Sequence, residues 1–440
     1  MATYLDTTIL FVAFPDISAT FGDSSVSTLS WVLNAYTIAF AALLVPAGKL
    51  ADRLGHRRVF LIGSAVFTAA SMACGFSPSV GLLIASRIVQ GAGAAILVPA
   101  SLALVMAAFP RERLPFVVAI WGAIGAFSAA LGPSLGALVV DGLGWRWAFY
   151  LNLPIGIVTL VAGVRMLSEH RDASVRLPSP AGVLLIAAAA GALVYGVVES
   201  DTHGWFSSRT AVVVVAGLVL LGVFVAHQRR ATSPTLDLDL FRLGNFRWGN
   251  LGMLSYSAAF SAMFFGLILF LVEVWDWSIL EAGFAVAPGP LAAALLAPYF
   301  GNLAGRIGQR PLVIAGGLVF AASGLLRLVF LTDDVDYLLD FGVPLALVAV
   351  SIPLVFPQVT SAAAQVLPAS QVGVGGGTTQ AIRQFGGSFG VAVAIALVGT
   401  TSGTTDALAG FDRVWWFTIA GGLFTALFGL PLRTGAAERA

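Results

Sequence analysis

The sequence predicts an all-α polytopic membrane protein, and two observations support this fold class. Of the 440 residues, 58% are hydrophobic and only 10% are charged, with a mean hydropathy of +0.93, whereas soluble domains carry roughly a quarter charged residues. The apolar residues also lie in runs long enough to cross a bilayer as helices, which takes about 20 residues each. Most of the surface must therefore face lipid, which excludes a soluble globular protein.

Breaks at charged, Pro/Gly-rich and Asn/Asp-rich points divide the chain into fourteen apolar stretches. These stretches lack the two-residue alternation of a transmembrane barrel, so helices are predicted. The predicted spans are residues 4–21, 29–48, 58–77, 80–108, 115–140, 146–167, 181–199, 210–227, 248–272, 282–302, 311–331, 338–366, 376–399 and 413–432. The first span opens with polar residues and is short of a full crossing, so we expect the natural chain to begin upstream of Met1.

Basic residues orient the predicted helices, because cytoplasmic loops are enriched in Lys and Arg. With the N-terminus in the cytoplasm, seventeen basic residues lie inside and three outside. The inside residues are Lys49, Arg53, Arg57, Arg58, Arg111, Arg113, Arg165, Arg171, Arg176, Arg229, Arg230, Arg242, Arg247, Arg306, Arg310, Arg433 and Arg439; the outside ones are Arg146, Arg209 and Arg413; Arg87, Arg327 and Arg383 fall within helices. Both termini are therefore expected in the cytoplasm. The single lysine suggests a GC-rich bacterial genome, hence a bacterial cytoplasmic membrane.

Charge, cysteine and histidine content exclude several classes of function. The net charge of +1 offers no basic field for nucleic acid. Cys74 is the only cysteine, which excludes an intramolecular disulfide, and the four histidines lack metal-binding spacing. No connection is long enough for a soluble catalytic domain. We therefore expect no metal or cofactor, no enzyme activity, and a function carried out within the lipid bilayer.

An eleven-residue segment occurs twice. Gly48–Arg58 (GKLADRLGHRR) recurs as Gly301–Pro311 (GNLAGRIGQRP) with six identities, each time after an even-numbered predicted helix. Repetition in the same orientation indicates two parallel half-molecules, as in transporters that rock two bundles around a central site. The spacing predicts a six-helix bundle at 1–178, two inserted helices at 179–230 and a second six-helix bundle at 231–440.

The first copy of this segment resembles the loop signature between the second and third helices of the major facilitator superfamily. Further along, LLIASRIVQGAGAA, which contains Arg87 and Gln90, resembles the fourth-helix motif of that superfamily, and Gly132–Gly136 (GPSLG) resembles the fifth-helix motif of antiporters. With LDTTI from Leu5 and WRWAFYLNLPIGI from Trp145, the chain is similar to the fourteen-helix drug:proton antiporter family.

The resemblance implies the major facilitator fold and an exchange of protons for lipophilic or cationic drugs by alternating access. The chain departs from the family pattern in three places. Ser128 and Ala137 stand where glycine is usual, Gly305 replaces the acid in the second loop, and the first helix lacks its usual upstream turns.

Asp6 and Arg87 are the predicted proton-coupling residues. A carboxylate within a membrane helix is costly unless it is paired or hydrated, and burial favours its neutral form. Arg87 needs a carboxylate or carbonyl groups, and Gln90 lies one turn further on the same face. The alternatives are that Asp6 is only the polar end of a short helix and that Arg87 is a structural tie to backbone carbonyls.

Two groups of residues are the predicted gating elements. Glycines at fixed spacing permit close approach of helices, and an acid beside them can accept a salt bridge or face a helix N-terminus; Pro133 permits a kink. The gating residues are Gly48, Asp52, Arg53, Gly55, Arg57, Arg58, Gly132, Pro133 and Gly136. The alternatives are a positive-inside anchor for the loop and generic small-residue packing for the helix.

The predicted substrate-binding residues are mostly aromatic. Tyr256, Phe260, Met263 and Phe264 fall at helical spacing on one face of the ninth predicted helix, and Trp31, Asn34 and Gln90 complete the set. Aromatic and methionine side chains suit varied apolar cations. A lipid-facing stripe or a packed core is the alternative for the ninth helix.

The sequence thus predicts a monomeric secondary transporter whose partners are small-molecule substrates, protons and lipid. A dedicated exporter of one endogenous metabolite or antibiotic is the alternative within transport. A membrane-embedded hydrolase using Ser388 of GGSFG is a remote alternative, because no strand-turn-helix context surrounds that serine. The glycines of GVGGG at 373–377 do not make a phosphate loop, since no Lys-Ser/Thr follows them.

Overall fold

The computed structural model describes residues 1–109, 114–169, 177–203, 207–231, 233–367, 371–398 and 404–433. Within these ranges the secondary structure is helical and holds no β-strand. Five arginines used above to orient the chain lie outside the described residues: Arg111, Arg113, Arg171, Arg176 and Arg439.

The first half of the described chain contains nine α-helices. They are Ala2–Thr20 (α1), Val26–Leu54 (α2), His56–Gly75 (α3), Val80–Ala108 (α4), Leu114–Leu143 (α5), Arg146–Tyr150 (α6), Asn152–Met166 (α7), Pro180–His203 (α8) and Ser208–Arg230 (α9). Ser25 and Ser79 cap α2 and α4, because each hydroxyl accepts a hydrogen bond from the backbone N–H three residues later.

The second half contains seven more. They are Gly244–Glu273 (α10), Ile279–Val286 (α11), Pro288–Ile307 (α12), Gln309–Phe330 (α13), Val343–Gln365 (α14), Val372–Val398 (α15) and Thr404–Gly429 (α16). A short 3-10 helix, Leu238–Arg242, precedes α10, and a π-helical turn, Tyr337–Gly342, leads into α14. Ser278 and Glu281 form a capping box at the start of α11.

The fourteen predicted spans all correspond to helices, which confirms the fold class. Two spans are each built from two consecutive helices, α6 with α7 and α11 with α12. Eleven spans in the described part are long and apolar enough to cross a membrane. The first helix is longer than its apolar run, because the polar residues before Ile9 continue the helix back to Ala2.

The repeated segment forms the same backbone corner in both copies. Gly55 joins α2 to α3 with φ 107°, and Gly308 joins α12 to α13 with φ 83°. Each glycine donates its N–H to the carbonyl four residues earlier, at 2.9 Å. L side chains rarely adopt this positive φ, so glycine is required at both corners.

The chain divides into two compact units, Met1–Gly196 with Ala211–Asp237, and Val197–Thr210 with Leu238–Ala440. In the N-terminal unit α3 and α4 pack closely, α2 packs on α4, and α1 packs on α5. In the C-terminal unit α10 packs on α14, α15 and α16, and α13 packs on α14 and α16. The division into bundles at 1–178 and 231–440 with an insert at 179–230 stays a prediction.

Glycines bring several of these helices into backbone contact. A Cβ atom at Gly91 of α4 would overlap the carbonyl of Tyr36 in α2, and one at Gly317 of α13 would overlap the backbone of Gly422 in α16. Such small-residue faces let membrane helices pack tightly where the hydrophobic effect does not drive them together.

Candidate functional site

A buried ion pair lies inside the N-terminal unit. Arg87 of α4 donates from Nη1 to Oδ2 of Asp6 in α1, at 2.6 Å. The two side chains are 1% and 0% exposed. The structure therefore brings the two predicted proton-coupling residues together, and Asp6 lies in the interior of the unit and not at a solvated helix end.

Three more buried polar side chains complete a network around the carboxylate. Gln90 donates from Nε2 to Asp6 Oδ1 at 2.8 Å, and Asn152 of α7 donates from Nδ2 to the same oxygen at 2.9 Å. Both amides also donate to the hydroxyl of Ser71 in α3, and Gln90 Oε1 accepts from Arg87 Nη1. The network around this carboxylate thus links four helices, α1, α3, α4 and α7.

The guanidinium of Arg87 is fixed from its other sides as well. Its Nε donates to the carbonyl of Val32 in α2 at 2.9 Å. Its Cζ lies 4.1 Å from the ring centroid of Tyr36 and 5.8 Å from that of Phe149, which are cation–π distances. Arg87 thus contacts both Asp6 and a backbone carbonyl, and its role in proton coupling stays a prediction.

Asn152 and Ser71 are site residues that the sequence analysis missed. Asn152 is the one amide in the mostly apolar stretch after Arg146, and Ser71 is one of several small residues in α3. Asn152 Oδ1 has no hydrogen-bond partner in the described part of the chain. An isolated amide in an apolar run was the available signal, since a buried amide needs partners.

The two predicted substrate residues of α2 occupy different environments. Trp31 is half-buried, and its ring centroid lies 6.2 Å from that of Tyr195 in α8. Asn34 is fully buried. Their assignment to substrate binding stays a prediction.

The glycines of the α5 motif contact the same helix that carries Asp6. A Cβ at Gly132 would overlap the Thr8 side chain, and one at Gly136 would lie 3.1 Å from Ile9 Cγ1. Gly132, Pro133 and Gly136 are all buried. The motif is therefore the contact surface between α5 and the part of α1 that directly follows Asp6.

The corner between α2 and α3 is held by an acid that the sequence analysis did not single out. Glu169, which follows α7, accepts hydrogen bonds from the backbone N–H groups of Arg57 and Arg58, both at 3.1 Å. Arg57 Nη2 also donates to the carbonyl of Val164 at 2.8 Å. The first-turn N–H groups of a helix have no partner within it, so this carboxylate caps α3.

The other residues of the predicted loop latch take separate positions. Asp52 faces His56 one turn on, at 3.4 Å. Gly48 is half-buried beside Pro99 of α4, and Arg53 is exposed. The carboxylate at the start of α3 thus comes from Glu169, while Asp52 serves the pairing with His56.

The aromatic face of α10 is buried within the C-terminal unit. The Tyr256 ring lies 4.8 Å from Phe320 and 4.9 Å from Phe356, measured between centroids, and its hydroxyl is 2.7 Å from Ser351 Oγ. Phe260 stacks on Tyr256 at 6.1 Å. Met263 and Phe264 continue the buried face along α10, so this stripe does not face lipid.

Two arginines in the described part of the C-terminal unit are not solvent-exposed. Arg327 of α13 is fully buried, donates to Ser323, and has its Cζ 5.7 Å from the Trp415 ring centroid. Arg383 of α15 is half-buried, with its Cζ 5.1 Å from the ring centroid of Phe356.

The glycines around Ser388 serve helix packing. A Cβ at Gly386 would overlap Ser257 of α10, and one at Gly390 would overlap the Ala258 carbonyl. Ser388 itself is 1% exposed in the middle of α15. A buried serine on a helix–helix contact cannot act as an exposed nucleophile, so GGSFG is a packing motif.

Comparisons with known proteins agree over nearly the whole chain. The family model of the Major Facilitator Superfamily matches residues 1–391. The multidrug resistance protein Stp of Mycobacterium tuberculosis is 36% identical over 89% of this chain and 72% of its own length. The cephamycin export protein CmcT of Amycolatopsis lactamdurans is 36% identical over 92% of this chain and 84% of its own length. The methylenomycin A resistance protein of Bacillus subtilis is 32% identical over 93% of this chain and 87% of its own length.

A solved structure gives the same fold. The peptide transporter POT in complex with sulfate matches with a TM-score of 0.65 and 18% identity, over 98% of this chain and 94% of that one. At this identity the similarity concerns the arrangement of helices alone.

Proposed function

The chain belongs to the major facilitator superfamily, and on this premise we propose that it exports lipophilic organic compounds from the cytoplasm in exchange for protons. It is a multi-pass membrane transporter and not an enzyme. The observation that carries the proposal is the buried Asp6–Arg87 pair. In the proposed orientation both termini lie in the cytoplasm of a bacterium.

Proton exchange follows from the way Asp6 is bound. Its ionised carboxylate accepts three hydrogen bonds, from Arg87, Gln90 and Asn152. Protonation turns one oxygen into a donor and removes the charge that Arg87 faces, so the links from α1 to α4 and α7 weaken. A proton bound at Asp6 thereby favours a different arrangement of these helices.

The neighbours of Asp6 supply a path from protonation to helix movement. Thr8 and Ile9 lie directly after it in α1 and pack on Gly132 and Gly136 of α5. The contact is tight and made of small groups, so a shift of α1 must be followed by α5. We assign the alternation between inward-open and outward-open states to this pair of helices.

The corner at Gly55 is the proposed gate on the cytoplasmic side. Glu169 holds the N-terminus of α3, and Arg57 adds a bond to the Val164 carbonyl. These bonds join α3 to the end of α7 and stabilise one state of the unit. Breaking them frees α3, which also carries Ser71 of the network around Asp6.

Uphill transport by proteoliposomes tests the proton assignment. The full-length chain is reconstituted, a pH gradient is imposed, and accumulation is measured for cephamycin, tetracenomycin C and methylenomycin A, the compounds after which relatives are named. We expect accumulation with the wild type and none with Asp6→Asn or Arg87→Ala. Uphill accumulation by Asp6→Asn would show that Asp6 is not the proton carrier.

Asp16→Asn is the matched control. Asp16 is a second carboxylate of the same helix, and it accepts a hydrogen bond from the Trp145 backbone N–H at 2.9 Å. Asparagine keeps an acceptor oxygen there, so this variant should retain proton-driven transport.

A dedicated exporter of one compound is the second candidate, because one relative is named for cephamycin alone. Counterflow with a panel of labelled compounds separates the two. A single accepted compound favours the dedicated exporter, and several unrelated ones favour a multidrug transporter.

A further inference from the structure

Arg383 is a cation near the middle of a membrane-spanning helix, outside the network around Asp6. It is the twelfth of the 27 residues of α15 and is half-buried. Placing an ionisable side chain this deep in a membrane-spanning helix costs free energy, and such residues usually contact a transported substrate or ion. The Asp6 network lies in the other unit and makes no use of it.

The surroundings of Arg383 are aromatic. Its guanidinium lies over the ring of Phe356, and Phe356 meets Tyr256 at 4.9 Å and Phe260 at 5.8 Å between centroids. A planar cation therefore adjoins two half-buried rings, Phe356 and Phe260, and the fully buried Tyr256 contacts both of them. Such a surface can hold a molecule that has a charged group on one side and an apolar body on the other.

A second hydrogen-bond donor lies beside this cation. Gln380 precedes Arg383 by three residues in α15, which places both side chains on one face of the helix. Its Nε2 is buried and has no hydrogen-bond partner in the described ranges. A buried amide donor without a partner costs roughly 1–3 kcal/mol, so an acceptor supplied by a ligand would be bound favourably.

The helices that pack on α15 carry few acidic residues. Helices α14 and α15 contain no Asp or Glu, Glu273 of α10 is the last residue of its helix, and α16 holds Asp406 and Asp412 within its first nine residues. Arg327 adds a second buried guanidinium, whose Nε and Nη2 have no partner in the described part of the unit.

We propose that Arg383 and Gln380 bind an anionic group of the exported compound, a carboxylate or a sulfonate, while its apolar body lies against Phe356. The inference rests on the proposed export function and narrows its substrates to lipophilic anions. It departs from the lipophilic or cationic drugs that the sequence resemblance implies. A cation in this place would be repelled by the like charge of Arg383.

Equilibrium binding to the full-length protein in nanodiscs tests the proposal. Three probes share one ring system and differ in charge: naphthalene-1-sulfonate, 1-naphthylmethylammonium and 1-naphthalenemethanol. We expect the wild type to bind the sulfonate most tightly. Arg383→Gln should weaken the sulfonate about tenfold to a hundredfold and leave the neutral alcohol within about twofold, as expected for a charge-assisted bond.

Two further variants sharpen the result. Arg383→Lys keeps the charge and should recover part of the sulfonate affinity. Arg413→Gln removes an exposed cation of α16 and should change none of the three affinities. The proposal is overturned if the wild type prefers the ammonium or the alcohol, or if Arg383→Gln weakens all three probes equally.

The wild-type ranking needs no variant to fold, so it decides the question alone. Binding is measured without a pH gradient, so it is independent of proton coupling. A sulfonate preference with no uphill transport would contradict the proposed function only. Uphill transport with no sulfonate preference would contradict the anion site only.

Discussion

The carboxylate of Glu169 lies in the space that a side chain at Gly55 would occupy. Gly55 also has a φ of 107°, which L side chains rarely adopt. Two independent reasons, backbone conformation and the position of the cap, therefore require glycine at this corner.

Gly55→Ala should destabilise the protein, because the new methyl group must displace Glu169 and the backbone must leave its positive φ. We expect a loss of about 1–3 kcal/mol and a lower rate of transport. Thermal unfolding in detergent measures the first effect. Gly81→Ala is the control, since a Cβ there meets nothing within 4 Å, and it should unfold at or above the wild-type temperature.

Glu169→Ala should loosen the start of α3, because the N–H groups of Arg57 and Arg58 lose their acceptor. Glu169 is exposed, so we expect a cost of about 1 kcal/mol or less. Glu169→Gln keeps one acceptor oxygen and should lie between Ala and wild type in unfolding temperature and transport rate. Equal behaviour of all three proteins would argue against a role for this cap.

Arg87→Lys should abolish most transport although it keeps the positive charge. The guanidinium reaches the Val32 carbonyl with Nε and Asp6 with Nη1, and a single ammonium cannot make both contacts from one place. We expect at least about a tenfold lower rate and a stability loss of roughly 1–3 kcal/mol. The control Arg413→Lys, at an exposed position, should change neither the transport rate nor the stability. Transport at the wild-type rate by Arg87→Lys would mean that a positive charge at this position is sufficient for transport.

Tyr256→Phe and Tyr256→Ala should separate the two roles of this side chain. Phenylalanine keeps the ring contacts with Phe320 and Phe356 and loses only the hydrogen bond to the Ser351 hydroxyl. We expect this to lower the free energy of unfolding by about 1 kcal/mol. Alanine leaves a cavity and should lower the free energy of unfolding by about 3–5 kcal/mol. Tyr256 contacts Phe356, the ring against which the apolar body of the substrate is proposed to lie. Tyr256→Ala should therefore also weaken binding of 1-naphthalenemethanol, whereas Tyr256→Phe should not.

Most of the fold could be predicted from the sequence, because lipid requires long apolar runs and each run becomes a helix. The prediction was weakest at helix ends. The last helix starts at Thr404 and not near residue 413, since its polar first turns continue the helix beyond the apolar run. The divisions at Leu151 and Ala287, where two spans are each assigned as two helices, keep helical dihedral angles and have no break in hydropathy.

The candidate site was only partly predictable. Asp6 and Arg87 stand out because charges within membrane helices are rare, and Gln90 follows by helical spacing. Ser71 and Asn152 join them through the packing of α3 and α7, which local sequence does not encode. Glu169 lies more than one hundred residues from the corner that it caps, so only the folded chain places it there.

The two copies of the repeated segment agree in the glycines that shape the backbone and in two arginines, and they differ at the acidic position. Gly55 and Gly308 form the same corner, yet Asp52 in the first copy is replaced by Gly305 in the second. The second copy thus has the same geometry at the joint without an acidic side chain at this position. A mutation that stiffens the corner should have a similar effect in either half, whereas one that alters charge should matter chiefly in the first.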